Sequence, residues 1–171
     1  TGTTSLVFTY TIESDLTDAD GISIAANALS LNSGTLKDAA GNSATLTHSA
    51  VSANSSYMVD TTAPTVSSVA ITSATGASNS YLNEGDVVSI AVTMSEVTIV
   101  DTTNGTPRIA LTIGEDTKYA TYASGTGTTS LVFTYTIESD LTDADGISIA
   151  ANALSLNSGT LKDAAGNSAT L

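Results

Sequence analysis

Seventeen acidic side chains stand against four basic ones, one histidine and no cysteine, so the chemistry open to this chain is carboxylate chemistry. A carboxylate is a hard oxygen donor, and groups of them either stay solvated in loops or gather around a multivalent cation. The acids are clustered. Glu13, Asp15, Asp18 and Asp20 fall in one run ending at Gly21. Like charges so close repel unless something positive sits among them, and the other reading is a solvated acidic turn. The run is not a helix-loop-helix calcium loop. With Gly21 at the sixth position, Leu16 and Asn27 would take the first and twelfth, where acids are required. Asp38 lies four residues before Asn42 with Gly41 between. That spacing suits a tight loop in which the carboxylate caps backbone N–H groups, and it suits metal ligation equally. Glu96 follows Ser95, Asp60 stands in Val59-Asp-Thr-Thr-Ala-Pro64, and Asp101 opens the similar Asp-Thr-Thr-Asn-Gly. Asp15, Glu84 and Asp86 are open to both readings.

Several function classes are disfavoured by composition. A net charge of −13 and a pI near 4.1 give the wrong sign for binding nucleic acid. There is no thiol, the single His48 reads as a surface strand residue, and no nucleophile elbow, phosphate loop or zinc signature occurs, so no enzyme is expected. No apolar run reaches membrane-spanning length, and no direct membrane insertion is expected. With 41% hydrophobic and only 12% charged residues the chain should bury a core. Abundant Thr, Ser, Gly and Asn suit an extracellular β-protein. Without cysteine its staple would have to be something other than a disulfide, and metal is the candidate.

The elements that position these acids occur in a repeat. Thr1–Leu46 returns letter for letter as Thr126–Leu171, an offset of 125 (126 − 1), which means tandem copies of one unit. Ser5–Ile12 alternates Leu6, Phe8, Tyr10 and Ile12 with Val7, Thr9 and Thr11, the period of a half-buried strand. Ile22–Ile24 and Leu29–Leu31 read as short strands, and Ala44–Val51 and Tyr57–Val59 as weaker ones. Pro64 interrupts strand pairing and marks the joint. Further strands are expected from Val66, over Val87–Met94 and Val97–Val100 with a turn at Ser95-Glu96, and over Arg108–Ile113, Lys118–Ala123 and from Ser130. About seven short strands per unit, turn signals between them and no helical period indicate an all-β fold of tandem antiparallel β-sandwiches. The expected division is residues 1–57 as the C-terminal part of one repeat, 58–64 as the joint, and 65–171 as the next repeat lacking its last strand. Open edges then call for the missing strands from neighbouring identical repeats, head to tail.

The succession Asn-Glu-Gly-Asp, Val-Thr-Met-Ser-Glu, Gly-Thr-Pro-Arg-Ile-Ala-Leu-Thr-Ile-Gly, Ser-Leu-Val-Phe-Thr-Tyr-Thr-Ile, Asp-Ala-Ala-Gly-Asn and Val-Asp-Thr-Thr-Ala-Pro resembles the bacterial immunoglobulin-like repeats of giant calcium-dependent RTX-type adhesins. It is closest to the extender repeats of an Antarctic ice-binding adhesin. The resemblance covers the whole chain. It implies an immunoglobulin-like sandwich, rigidified by calcium, in a secreted cell-surface protein whose ice or host surface is met only through other domains.

Loops alternate between the two ends of a sandwich, so the joint should face acids from both neighbours. Asp18 and Asp20 of the first copy, Asp60, Glu96 and Asp163 are expected near it, with Asp143 and Asp145 at the opposite end beside a following joint. Such clustering suits Ca²⁺, which takes six to eight oxygens. Asp38 matches Asp163, and Asp101 echoes the joint, so both are candidate ligands. The function expected is a structural spacer that holds a distal binding domain away from the cell. The alternative is a module that binds ice or carbohydrate directly. Its flat face should carry a recurring Thr-x-Thr ladder, and no such ladder recurs from strand to strand.

Overall fold

A computed structural model describes residues 2–171, which form β-strands and turns with one 3-10 turn at Ser55–Tyr57. The chain divides into two units at Thr62/Ala63. In the first, β1 (Thr17–Asp18) pairs antiparallel with β2 (Val59–Asp60). The second contains β3 (Val66–Thr75), β4 (Val87–Asp101), β5 (Arg108–Ile113), β6 (Asp116–Ser124), β7 (Thr128–Thr136), β8 (Leu154–Ser155) and β9 (Thr160–Lys162).

The second unit is a curled antiparallel sheet in the order β3-β4-β7-β6-β5-β8, with β9 added to the far end of β4. Its alternating sequences cause this directly. Val88, Ile90, Val92 and Met94 of β4, Leu131, Phe133 and Tyr135 of β7, and Ile109, Leu111 and Ile113 of β5 all point into one core with Leu154 and Leu161. Phe133 is wholly buried and meets Tyr122 edge-on, with ring centroids 5.8 Å apart. The β5–β6 hairpin turns at Gly114-Glu115. Gly114 has φ +58°, and a Cβ there would lie 2.2 Å from the Thr142 carbonyl oxygen. Glycine lets the hairpin touch the loop that carries Asp143.

One expectation is corrected here. The predicted pair of strands with a turn at Ser95-Glu96 is the single strand β4. Its pairing with β7 jumps from Thr93↔Ser130 to Thr98↔Thr128, so four residues of β4 face Thr129 alone. This large bulge absorbs the break that the sequence suggested, and it bends β4 from its partners β3 and β7 toward β9. A second correction concerns the expected strand Tyr57–Val59, whose Tyr57 closes a 3-10 turn at Ser55–Tyr57 and whose Val59 alone enters a strand, β2.

In the first unit the repeated sequence meets a different environment. Leu6–Ile12 forms no strand there, and Phe8 is 73% exposed where its counterpart Phe133 is 0% exposed. The local turns are nevertheless the same. Asp15 and Asp140 both have φ 62°, and Asn27 and Asn152 have φ 58° and 56°. Residues 47–58, which follow the repeat, run back along it. Val51 exchanges hydrogen bonds with Ile24 at 2.8 and 2.9 Å, and Ile22 N–H donates to the Tyr57 carbonyl at 3.2 Å.

Candidate metal centre

Three elements carry the acids that come together. Glu96 sits on the bulge of β4, where Thr98 Oγ1, on a fully buried side chain, donates to its carbonyl at 3.0 Å. Asp163 opens the turn after β9. There its N–H donates to the Asn167 carbonyl at 3.1 Å, and its Oδ1 accepts the Asn167 N–H at 2.8 Å. Its Oδ2 accepts the Asn167 side-chain amide at 2.6 Å. Asp60 lies on β2, and its Oδ1 accepts the Thr62 N–H at 3.0 Å. One oxygen from each of Asp60, Glu96 and Asp163 lies within 4.8 Å of the others.

Asp163 is only 4% exposed. Burial alone would push its carboxyl up, but the bonds from the Asn167 side chain and from the Asn167, Gly166 and Ala165 backbone together hold it below the ordinary aspartate value. At an effective dielectric of about 20, each pair of charges at such a separation repels by about 3 to 4 kcal/mol. Lys118 and Glu138 form a salt bridge at 2.8 Å elsewhere in the second unit. The donor set is oxygen only, which suits a hard cation such as Ca²⁺, Mg²⁺ or Mn²⁺ and not a thiolate- or imidazole-seeking metal. This cluster of three acids could hold a metal ion, with carbonyls and water completing the shell.

The other sequence candidates lie outside that group. Asp18 and Asp143 are the same residue of the repeat and do the same local work. Asp18 Oδ1 accepts the Gly21 N–H at 2.9 Å, and Asp143 Oδ1 accepts the Gly146 and Asp145 N–H groups at 2.8 and 3.2 Å. The Gly146 N–H chiefly holds the Asp143 carboxyl below its ordinary value, with burial opposing. Asp20 and Asp145 are exposed in the same loops. Asp38 is exposed and caps its turn as Asp163 does, accepting from Ala40 N–H at 2.9 Å, Asn42 N–H at 2.8 Å and the Asn42 side chain at 2.8 Å. Asp101 is exposed and accepts from the Thr103 hydroxyl at 2.6 Å and its N–H at 2.8 Å, which hold it low in the same order.

The histidine has more to do than its surface-strand reading implied. His48 is half-buried, its Nε2 accepts the Leu29 N–H at 3.3 Å, and its Nδ1 lies 2.7 Å from the Ser49 carbonyl, so the ring pins residues 47–49 to the repeat. Nothing in its sequence context signals this role. No protein-family profile, curated protein or solved structure matches the chain significantly.

Proposed function

We propose that this chain is a calcium-rigidified structural extender repeat of a secreted bacterial cell-surface adhesin, placed to hold a distal ligand- or ice-binding domain away from the cell. The observation that carries the reading is the meeting of Asp60, Glu96 and Asp163, because Asp60 belongs to residues 58–64, the expected joint between one repeat unit and the next. Ca²⁺ suits three carboxylates better than Mg²⁺, which keeps most of its own water and demands octahedral geometry. When bound, the ion supplies positive charge among the three carboxylates. The chain's own residues do the rest. The Asn167 bonds present the Asp163 carboxylate, the β4 bulge presents Glu96, and Asp60 brings in the linking segment. A spacer is only as stiff as its joints, and letter-identical units add length without adding specificity.

The test is a calcium titration read by melting temperature and by small-angle scattering. A cation at about 100 times its dissociation constant adds roughly 2.7 kcal/mol to the stability of the state that binds it. Calcium should raise the melting temperature, and chelation should reverse this and shorten the largest dimension of the particle. Asp60→Ala should abolish the calcium effect on dimension while both units stay folded. If chelator changes neither quantity, the spacer reading is wrong.

A further inference from the structure

We propose that the second unit carries an acceptor site for an added β-strand, and that its occupant is a second copy of the segment Thr47–Asp60. The site is a groove of about 440 Å³ lined among others by Val66, Val69, Ile149, Ala153 and Leu154. One wall is β3, an edge strand paired to β4 alone, whose Val69 and Ile71 are 37% and 41% exposed. The other wall is the stretch 149–154, just after Ile147.

The repeat identifies the occupant. Ile22, Ile24 and Asn27 of the first copy are Ile147, Ile149 and Asn152 of the second. In the first copy these residues hold an extended segment through an isolated bridge and two further backbone bonds. Ile24 and Val51 exchange bonds in both directions, Ile22 N–H donates to Tyr57, and Asn27 N–H donates to His48 at 3.2 Å. In the second copy the intervening Ser148 exchanges bonds with Thr112 of β5 at 2.9 and 3.1 Å. Backbone groups of successive strand residues face opposite edges, so those of Ile147 and Ile149 face away from β5, as Ile22 and Ile24 face their extended segment.

The glycines mark the difference between the two copies. A Cβ on Gly21 would lie 1.9 Å from the Asn54 carbonyl oxygen, whereas one on Gly146 would meet nothing within 4 Å. Gly21 and Gly146 have φ 97° and 100°, so the acceptor backbone has the same shape with and without that segment. A preformed site spends little of its binding energy on ordering. The segment also has unspent apolar surface. Val51, Tyr57 and Met58 are 53%, 64% and 62% exposed on the first copy, and the second unit offers Val66 and Val69 of β3 for such side chains to cover. Beyond the groove, a hollow of about 250 Å³ beside Leu141 and Ile147 corresponds to the one that Val59 lines in the first unit. This is strand addition to a sheet edge, in which backbone bonds give affinity and alternate side chains give register.

The inference is independent of the calcium reading, and its test can be run in chelator. A synthetic peptide of sequence Thr47–Asp60 is titrated into the full chain, with binding followed by calorimetry and amide hydrogen exchange. The expected result is one peptide per chain with exchange slowed at Ile147 and Ile149. A Val51→Pro peptide lacks the N–H that Ile24 accepts in the first copy, and it should bind at least about tenfold more weakly. No binding, equal binding of the proline peptide, or slowed exchange that spares Ile147 and Ile149 would each overturn the proposal.

Discussion

Asp163 and Asp38 are the same residue in the same turn, each bonded to the asparagine four positions on, yet one is buried beside Glu96 and the other is exposed. The pair is therefore an internal control. Asp163→Asn keeps the size and removes the charge, and the calcium-dependent rise in melting temperature should disappear. Asp38→Asn should leave that rise intact. Both carboxyls titrate below their ordinary value in the folded chain, so each contributes stability that is full above the unfolded value near 4 and is lost as pH falls through the lower folded value. A series of melting temperatures from pH 5 to pH 2 should accordingly fall less steeply for Asp163→Asn than for the parent. A steeper fall would mean that burial, not the Asn167 bonds, governs this group. The Asp-x-x-x-Asn spacing made the cap legible in the sequence. Which copy is buried depends on what packs around the turn, and no local pattern contains that.

At the level of elements, the bulge of β4 and the strand β7 give contrasting predictions. Thr98→Val keeps the volume of a fully buried side chain and removes the bond to the Glu96 carbonyl. It should lower stability by about 0.5 to 1.5 kcal/mol in denaturant titration, as a part-buried hydrogen bond is lost, and should weaken the calcium effect by unsettling Glu96. Phe133→Ala on β7 should cost about 3 to 5 kcal/mol. Phe8→Ala, the identical change in the first copy at a 73% exposed position, should stay within about 0.5 kcal/mol. Equal effects at Phe8 and Phe133 would mean that both copies bury this side chain in solution. The alternating residues of β4, β5 and β7 announced their strands because period-two burial is written along the chain. The bulge escaped notice because Ser95-Glu96 reads as a turn, and only pairing with β7 shows that the strand continues through it.

For the whole molecule, a net charge of −13 makes any cation stabilise the chain to some degree by screening. A specific site predicts more. At equal ionic strength, Ca²⁺ should raise the melting temperature above the level reached with NaCl, and Mg²⁺ should fall short of Ca²⁺. If NaCl matches Ca²⁺, the effect is screening and the three acids do not act as a site.

The chain contains its own comparison of sequence with environment. The same 46 residues occur twice, and in both places Asp15 and Asp140, Asn27 and Asn152, and Asn32 and Asn157 take left-handed conformations within a few degrees of one another. Turn geometry follows from short-range sterics and side-chain-to-backbone bonds, which neighbouring residues carry with them, so the sequence alone determined it. The all-β class and the core faces of β4, β5 and β7 were determined in the same way, by alternation. Strand pairing and burial were not. Leu131–Thr136 is strand, within β7, because β4 and β6 lie on either side of it, and the same letters at Leu6–Thr11 form no strand and leave Phe8 and Tyr10 largely exposed. A strand is completed by residues far away in the chain, and so is the group of Asp60, Glu96 and Asp163, whose members are drawn from three separate segments. Only the tertiary structure could decide which of seventeen acids would meet.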